Sequence, residues 1–236
     1  MRRIKLNPCA GFNYDGCRER WRKMRVGFYG GSFDPPHCGH LAVAKAAAEA
    51  FALDTVLLAP TARQPLKPQG AEASFDDRLA MVRLLCEGES GLEASELEAP
   101  SAESGAAVQP NYTRPNYTID TLRLLRARLQ PSDEIFVVVG IDAFLELERW
   151  RDPRGLLAAA HWVVVTRPEF AIAQLDAMEL SAAERARVHV LTEVQVPVSA
   201  TEIRRALEAG EDCSAWLPQR VLDYIREHGL YRKIQS

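Results

Sequence analysis

Residues 26–41 of the chain read VGFYGGSFDPPHCGHL. The apolar run at 26–29 predicts a buried strand, and the two glycines that follow it predict a tight turn. The alanine-rich stretch at 41–51 predicts a helix, because alanine is the strongest helix former. The turn at 30–41 would then lie at the carboxyl end of a strand, where ligands bind in an open α/β sheet.

Four more apolar runs without polar alternation follow, at residues 55–58, 135–139, 162–165 and 188–191. Such runs are typical of strands covered on both faces, as in a parallel sheet. Residues 75–85 and 118–129 space their apolar side chains at three and four, which predicts helices, and Pro131 would end the second one. Alternating strands and helices predict the α/β class, as a doubly wound parallel sheet.

Two segments differ from this pattern. Residues 1–23 are basic and lack the continuous apolar stretch of a secretory signal, so we expect either a disordered leader or a chain that properly starts at Met24. Residues 99–115 are small, polar and proline-containing, which predicts a long loop. The motif PNYT occurs twice there, at 110–113 and 115–118. The remaining chain, 24–236, is expected to form a single domain.

The bulk composition excludes several classes of protein. Apolar residues make up 47%, charged residues 26%, and the net charge of −3 gives no reason to expect a nucleic-acid or membrane partner. No apolar run approaches the roughly 18 residues of a membrane-spanning helix. The five scattered cysteines form no CxxC pair, which favours reduced thiols and a cytoplasmic location.

The turn at 30–41 has the chemistry of a phosphate site. Gly30 and Gly31 let the backbone approach a phosphate closely, and the following helix start favours an anion. His37 and His40 can face the same phosphate and donate to charge that develops on it. The chain has no GxxxxGK[ST] and no GxGxxG, which disfavours P-loop and dinucleotide-binding proteins. A metal site would need a third ligand, and the other histidines lie in strand-like or terminal contexts.

A second segment, VSATEIR at 198–204, opens a predicted amphipathic helix. Ser199 is a candidate N-cap. The hydroxyls of Ser199 and Thr201 with free N–H groups would form a phosphate seat, and Arg204 would neutralise its charge. The alternative is an ordinary capped helix with a solvated arginine.

Together the two segments resemble the HxGH and SxTxxR motifs of the nucleotidyltransferase α/β phosphodiesterase superfamily. The GGSFDP lead-in and His37 are similar to those of bacterial nicotinate-nucleotide adenylyltransferases. Further matches from about Met24 onward follow in family order: PLK at 65–67, PNYTIDTL at 115–122, GID at 140–142, Trp150, RP at 167–168 and GLYR at 229–232. Leu66, Asn116 and Glu169 stand where the family usually has histidine, serine and glycine.

The resemblance implies a Rossmann-like nucleotidyltransferase fold and transfer of AMP from ATP to nicotinate mononucleotide, giving deamido-NAD and pyrophosphate in NAD biosynthesis. His37 and His40 would be catalytic at the α-phosphate. Thr118 and Trp150 would bind the acceptor, through its carboxylate and its pyridine ring. Mg²⁺ would bind through ATP oxygens without a dedicated metal site. The implied ATP-binding residues are Gly30, Gly31, Ser32, Lys67, Asp142, Ser199, Thr201 and Arg204.

Several alternatives remain open from the sequence. The acceptor could be nicotinamide mononucleotide or phosphopantetheine, and a nucleotide-binding regulator without catalysis is a different class. Individual residues also have ordinary explanations: Asp142 as a helix cap, Trp150 as core, and Lys67 as a solvated side chain. A homo-oligomer is compatible with the sequence, and a nucleic-acid binder is disfavoured by the overall acidity.

Overall fold

The computed structural model describes residues 22–65, 70–100, 115–166, 171–192, 194 and 198–232. Its sheet has six strands in the order β3-β2-β1-β4-β5-β6, and every pairing between neighbours is parallel. The prediction of a parallel α/β sheet is confirmed. The strands are β1 (Arg25–Gly31), β2 (Thr55–Pro60), β3 (Leu92–Ala94), β4 (Glu134–Gly140), β5 (His161–Val165) and β6 (Val188–Leu191).

Five of these strands contain the apolar runs that predicted them, whereas β3 was not predicted. It has three residues and alternates with a charged side chain, so it carries no continuous apolar run. The described helices are α1 (Cys38–Ala50), α2 (Phe75–Cys86), α3 (Thr118–Arg126), α4 (Ile141–Leu145), α5 (Pro153–Ala159), α6 (Ala171–Asp176), α7 (Ala182–Arg185), α8 (Ala200–Ala209) and α9 (Gln219–Glu227).

The end of α3 corrects one prediction. The periodicity extended this helix to residue 129, but it ends at Arg126. The Asp133 carboxylate accepts a hydrogen bond from the backbone N–H of Gln130, at 2.8 Å. The Arg126 guanidinium donates to the carbonyls of Gln130 and Asp133. These contacts form a compact turn before β4, so the helix ends several residues ahead of Pro131.

Helices cover both faces of the sheet. Phe28, Val137 and Trp162 are buried together on one face, while Leu58 and Met81 are buried on the other. Each such side chain contributes roughly 1.5–3 kcal/mol on burial. Covering on both faces explains why the strand sequences lack polar alternation.

The strand order places the ligand crevice. From β1 the chain proceeds outward to β2 and β3, then returns to the other side of β1 as β4 and continues to β5 and β6. The carboxyl ends of β1 and β4 therefore form the topological switch point, outside which ligands bind in such sheets. The turn at 30–41 follows β1 and the GID motif at 140–142 follows β4, so both motifs lie at this crevice.

Other expectations fall partly or wholly outside the described residues. Of the predicted leader, Arg22 and Lys23 are described, and they pair at the surface with Asp54 and Glu134. Residues 101–114 of the predicted loop are not described. Within the described ranges, no helix combines the length and apolar character needed to cross a membrane.

Candidate active site

The two histidines are fixed by reciprocal hydrogen bonds at the start of α1. The backbone N–H of Gly39 donates to Nδ1 of His37 at 3.1 Å, and the backbone N–H of His37 donates to Nδ1 of His40 at 3.2 Å. Their ring centroids lie 3.8 Å apart. Because each Nδ1 accepts, the proton of each neutral imidazole is assigned to Nε2. Both rings thus keep one N–H donor for a ligand.

Burial keeps both rings uncharged. It lowers the pKa of His37 to about 4. The pKa of His40 is lowered well below its usual value, mainly by burial and to a smaller extent by the charge of His37. At neutral pH the free protein therefore presents two neutral N–H donors side by side.

The histidines line a cavity of about 570 Å³ together with Tyr29, Asp142 and Val198. Asp142 lies in the first turn of α4 and is exposed. Gly140 occupies the N-cap position of that helix, so the alternative explanation of Asp142 as its cap is wrong. The structure thus places His37, His40 and Asp142 around one cavity, together with Val198, which directly precedes Ser199.

A second cavity of about 260 Å³ opens beside the same strand ends. Gly30, Glu98, Asn116, Thr118 and Trp150 line it, with Val137 to Val139 of β4. Thr118 is the first residue of α3. Trp150 is half-buried and contacts Trp162 edge to face, with ring centroids 6.1 Å apart. Trp150 therefore belongs partly to the core and partly to the cavity wall.

Asn116 and Glu98 brace the wall formed by the start of α3. The Asn116 side chain accepts from the Arg63 N–H at 2.9 Å and donates to the Glu98 carbonyl at 3.2 Å. The Glu98 carboxyl group is 3% exposed and accepts from the Thr121 hydroxyl at 3.0 Å. Burial raises the pKa of this carboxyl group, and the hydrogen bonds from the hydroxyls of Thr61 and Thr121 lower it by less. Sequence reasoning missed Glu98, because a lone glutamate after a short strand carries no signal.

The second motif adopts its predicted cap and also holds the first motif. Ser199 is the N-cap of α8, and its side chain and Glu202 form a capping box. The Arg204 guanidinium donates to the Asp34 carbonyl at 2.8 Å and pairs with Glu72. Its side chain is only 20% exposed, so the alternative of a solvated arginine is wrong. Thr201, in the first turn of the same helix, is exposed.

The glycine turn itself occupies the boundary between the two cavities. Gly30 lines the cavity of Thr118 and Trp150, not that of the histidines. A Cβ on Gly31 would lie 3.3 Å from the Phe33 ring. The Ser32 hydroxyl donates to the Gln64 amide oxygen at 3.4 Å.

A buried arginine under this turn was also missed. Arg78 of α2 is 2% exposed and donates to the carbonyls of Ser32, Thr61 and Ala73, at 2.7, 2.9 and 3.2 Å. It ties the turn after β1 to the segments after β2. The signal that could have revealed Arg78 is its position as a charged residue on the apolar face of the helix predicted at 75–85.

Lys67 and the RP pair at 167–168 lie outside the described residues. Among the residues that are described, no group of three or more His, Cys, Asp or Glu side chains could hold a metal ion.

Comparison with known proteins identifies the relatives of this chain. Residues 28–206 match the Cytidylyltransferase-like family. The chain is 36% identical to the "Probable nicotinate-nucleotide adenylyltransferase" of Desulfatibacillum aliphaticivorans, over 88% of this chain and 100% of the relative. It is 38% identical to the protein of the same name from Solibacter usitatus, with the same shares covered.

A solved structure shows the same fold. It is the Plasmodium falciparum nicotinic acid mononucleotide adenylyltransferase complexed with NaAD, with a TM-score of 0.67 and 18% identity. The match covers 88% of this chain and 97% of that one. Fold, motifs and relatives therefore agree, and the chain belongs to the nicotinate-nucleotide adenylyltransferases of the cytidylyltransferase-like family.

Proposed function

We propose that this protein joins ATP and nicotinate mononucleotide to form deamido-NAD and pyrophosphate. The observation that carries the proposal is the pair of cavities at the carboxyl ends of β1 and β4. One cavity presents His37, His40 and Asp142. The other presents Thr118 and Trp150. Two ligands bound there would meet at the glycine turn that separates them.

In this proposal the histidine cavity holds ATP. The Nε2–H groups of His37 and His40 donate to the α-phosphate and stabilise the charge that develops during transfer. Asp142 accepts from a ribose hydroxyl. The triphosphate extends to the glycine turn between the two cavities, and its oxygens are proposed to be bound by Gly30, Gly31, Ser32, Lys67, Ser199, Thr201 and Arg204. Mg²⁺ binds through ATP oxygens, since this ion is usually held by substrate phosphates and few protein ligands.

The smaller cavity holds the acceptor. The pyridine ring stacks on Trp150, and its carboxylate faces Thr118 at the N-terminus of α3, where the helix dipole favours an anion. An uncharged carboxamide gains less from that position, so we expect nicotinate mononucleotide to be preferred over its amide. Asn116 and Glu98 keep this helix start in place.

The chemistry needs no covalent intermediate on the protein. A phosphate oxygen of the acceptor attacks the α-phosphorus of ATP, a new P–O bond forms, and the bond to the β-phosphate oxygen breaks. Pyrophosphate leaves with the electron pair of that bond. The protein contributes positioning and charge stabilisation. We place the reaction in the cytoplasm, since the described cysteines Cys38, Cys86 and Cys213 are free thiols.

A product assay tests the proposal. The protein is incubated with ATP and Mg²⁺ plus nicotinate mononucleotide, nicotinamide mononucleotide or phosphopantetheine, and both pyrophosphate and the adenylylated product are measured. We expect deamido-NAD to form fastest. Faster turnover of either other acceptor would replace the proposed substrate, and absence of pyrophosphate with all three would indicate a nucleotide-binding regulator.

A further inference from the structure

The carboxylate of Asp34 connects distant segments under the glycine turn. It is 3% exposed and lies between β1 and α1. Its Oδ1 accepts from the Tyr231 hydroxyl at 2.7 Å and from the Ala73 N–H at 3.1 Å. Its Oδ2 accepts from the Glu72 N–H at 2.7 Å. One side chain therefore joins the turn after β1, the segment before α2 and the segment after α9.

Arg204 depends on the same residue. Its Nη1 donates to the Asp34 carbonyl at 2.8 Å and lies 3.9 Å from Oδ2 of the Asp34 carboxylate. Its Nε pairs with Glu72, whose own N–H is held by that carboxylate. The position of the Arg204 guanidinium thus follows from where the Asp34 side chain is held.

Tyr231 is held tightly in an uncommon backbone conformation. Its φ is +56°, in the left-handed region that residues other than glycine rarely adopt. Such a conformation persists when the surrounding structure determines it. The ring is buried at 8% exposure, and burial with the charge of Asp34 raises the pKa of its hydroxyl. The hydroxyl therefore remains a donor toward Asp34 at every pH where the enzyme would work.

We propose that Tyr231 is a positioning residue for ATP: its hydroxyl fixes Asp34, and Asp34 fixes Arg204 on α8, the helix that begins just after Val198 of the histidine cavity. Tyr231 itself lines neither of the two cavities described above. The inference rests on the proposed function, which assigns Arg204 to the triphosphate.

Tyr231→Phe tests this inference, because it removes the hydroxyl and keeps the ring. Tyr224→Phe is the matched control, since the Tyr224 hydroxyl donates to the Asp77 carboxylate at 3.0 Å away from both cavities. For Tyr231→Phe we expect the Kd for ATP, measured by calorimetry, to rise about five-fold or more, as loss of a hydrogen bond to a charged group predicts. The KM for ATP should rise in parallel. The KM for nicotinate mononucleotide and all constants of Tyr224→Phe should stay within about two-fold.

A second variant shows whether the effect passes through Arg204. In an Arg204→Ala background, Tyr231→Phe should change the Kd for ATP by less than about two-fold, since coupled residues are not additive. The inference would be overturned if the Kd for ATP of Tyr231→Phe were unchanged, or if the KM values for both substrates rose equally. It would also be overturned if the effects of the two substitutions on the Kd for ATP were fully additive, or if the Tyr231→Phe protein failed to fold. The binding measurement needs no turnover, so it separates this inference from the proposed function, which fails if the wild type releases no pyrophosphate.

Discussion

At the level of single residues, the proposed mechanism depends on two imidazoles that donate without being charged. The Nδ1 of His40 accepts from the His37 N–H, which leaves Nε2–H as the donor that we propose for the α-phosphate. Replacing His40 with alanine removes that donor, and we expect turnover to fall by about a hundred-fold or more, as at other sites that stabilise developing charge. Steady-state pyrophosphate release measures the loss, and thermal melting shows that the fold is kept.

His228→Ala is the control for that experiment. The His228 ring stacks on Tyr224 at the end of α9 and lines neither of the two cavities. Its removal should leave turnover within about two-fold, as expected for a surface substitution. Near-normal activity of the His40 variant would contradict the role proposed for that ring.

The low pKa of His37 also predicts how stability depends on pH. In the folded protein the pKa is about 4, against about 6.5 in the unfolded chain, so below pH 6.5 the unfolded state binds more protons. The contribution of His37 to the free energy of unfolding is therefore fully present above pH 6.5 and is lost as the pH falls toward 4. Between pH 7 and pH 5, His37 alone should lower the free energy of unfolding by about 2 kcal/mol.

Urea unfolding at pH 7 and pH 5 measures this loss. His37→Gln provides the comparison, because glutamine does not ionise in that range. We expect the free energy of unfolding of the variant to fall about 2 kcal/mol less between the two pH values than that of the wild type. An equal decrease in both proteins would show that His37 ionises normally in the folded state.

At the level of elements, local signals predicted most of the long segments and missed α9 and the short or distant ones. The runs in β1, β2, β4, β5 and β6 are visible because burial on both faces requires apolar residues throughout. β3 and the short helices from α4 to α7 owe their structure to packing, so their sequences carry little periodicity. The contact of Asp34 with Tyr231 joins residues 197 apart in sequence. No local pattern encodes such a contact.

The start of α3 offers a test of how one element shapes the proposed acceptor cavity. Asn116→Ala removes the side-chain bonds to the Arg63 N–H and the Glu98 carbonyl. We expect a loss of about 1–2 kcal/mol in the free energy of unfolding and a rise of several-fold in the KM for nicotinate mononucleotide. The KM for ATP should stay unchanged.

Arg123→Ala is the control on the same helix. Its ion pairs with Asp120 and Asp152 are exposed, and such pairs contribute little. Both KM values should match those of the wild type. If Asn116→Ala raises the KM for ATP as much as the KM for the acceptor, the bracing of the acceptor wall is not its function.

At the level of the whole molecule, the strand order creates a site that no single motif encodes. The sequence predicted that residues 30–41 lie at a strand's carboxyl end, but not that β4 would be the neighbour of β1. That order brings the histidines, Asp142, Thr118 and Trp150 to one crevice. The separation into two cavities depends on which face of the sheet each helix covers, which is a property of packing.

Two separate cavities predict that both substrates are bound together before any bond changes. ATP and nicotinate mononucleotide would each bind alone, and the adenylyl group would never reside on the protein. We therefore expect intersecting lines when double-reciprocal plots of the initial rate are made at several concentrations of the second substrate, as for a ternary complex, and not the parallel lines of ping-pong kinetics.

An isotope-exchange experiment tests the same prediction. Radiolabelled pyrophosphate should not exchange into ATP when the acceptor is omitted. Exchange in the presence of deamido-NAD serves as the positive control, because the reverse reaction then supplies ATP. Exchange with ATP alone would require a protein-bound adenylyl group, for which the two neutral imidazoles would be the first nucleophiles to examine.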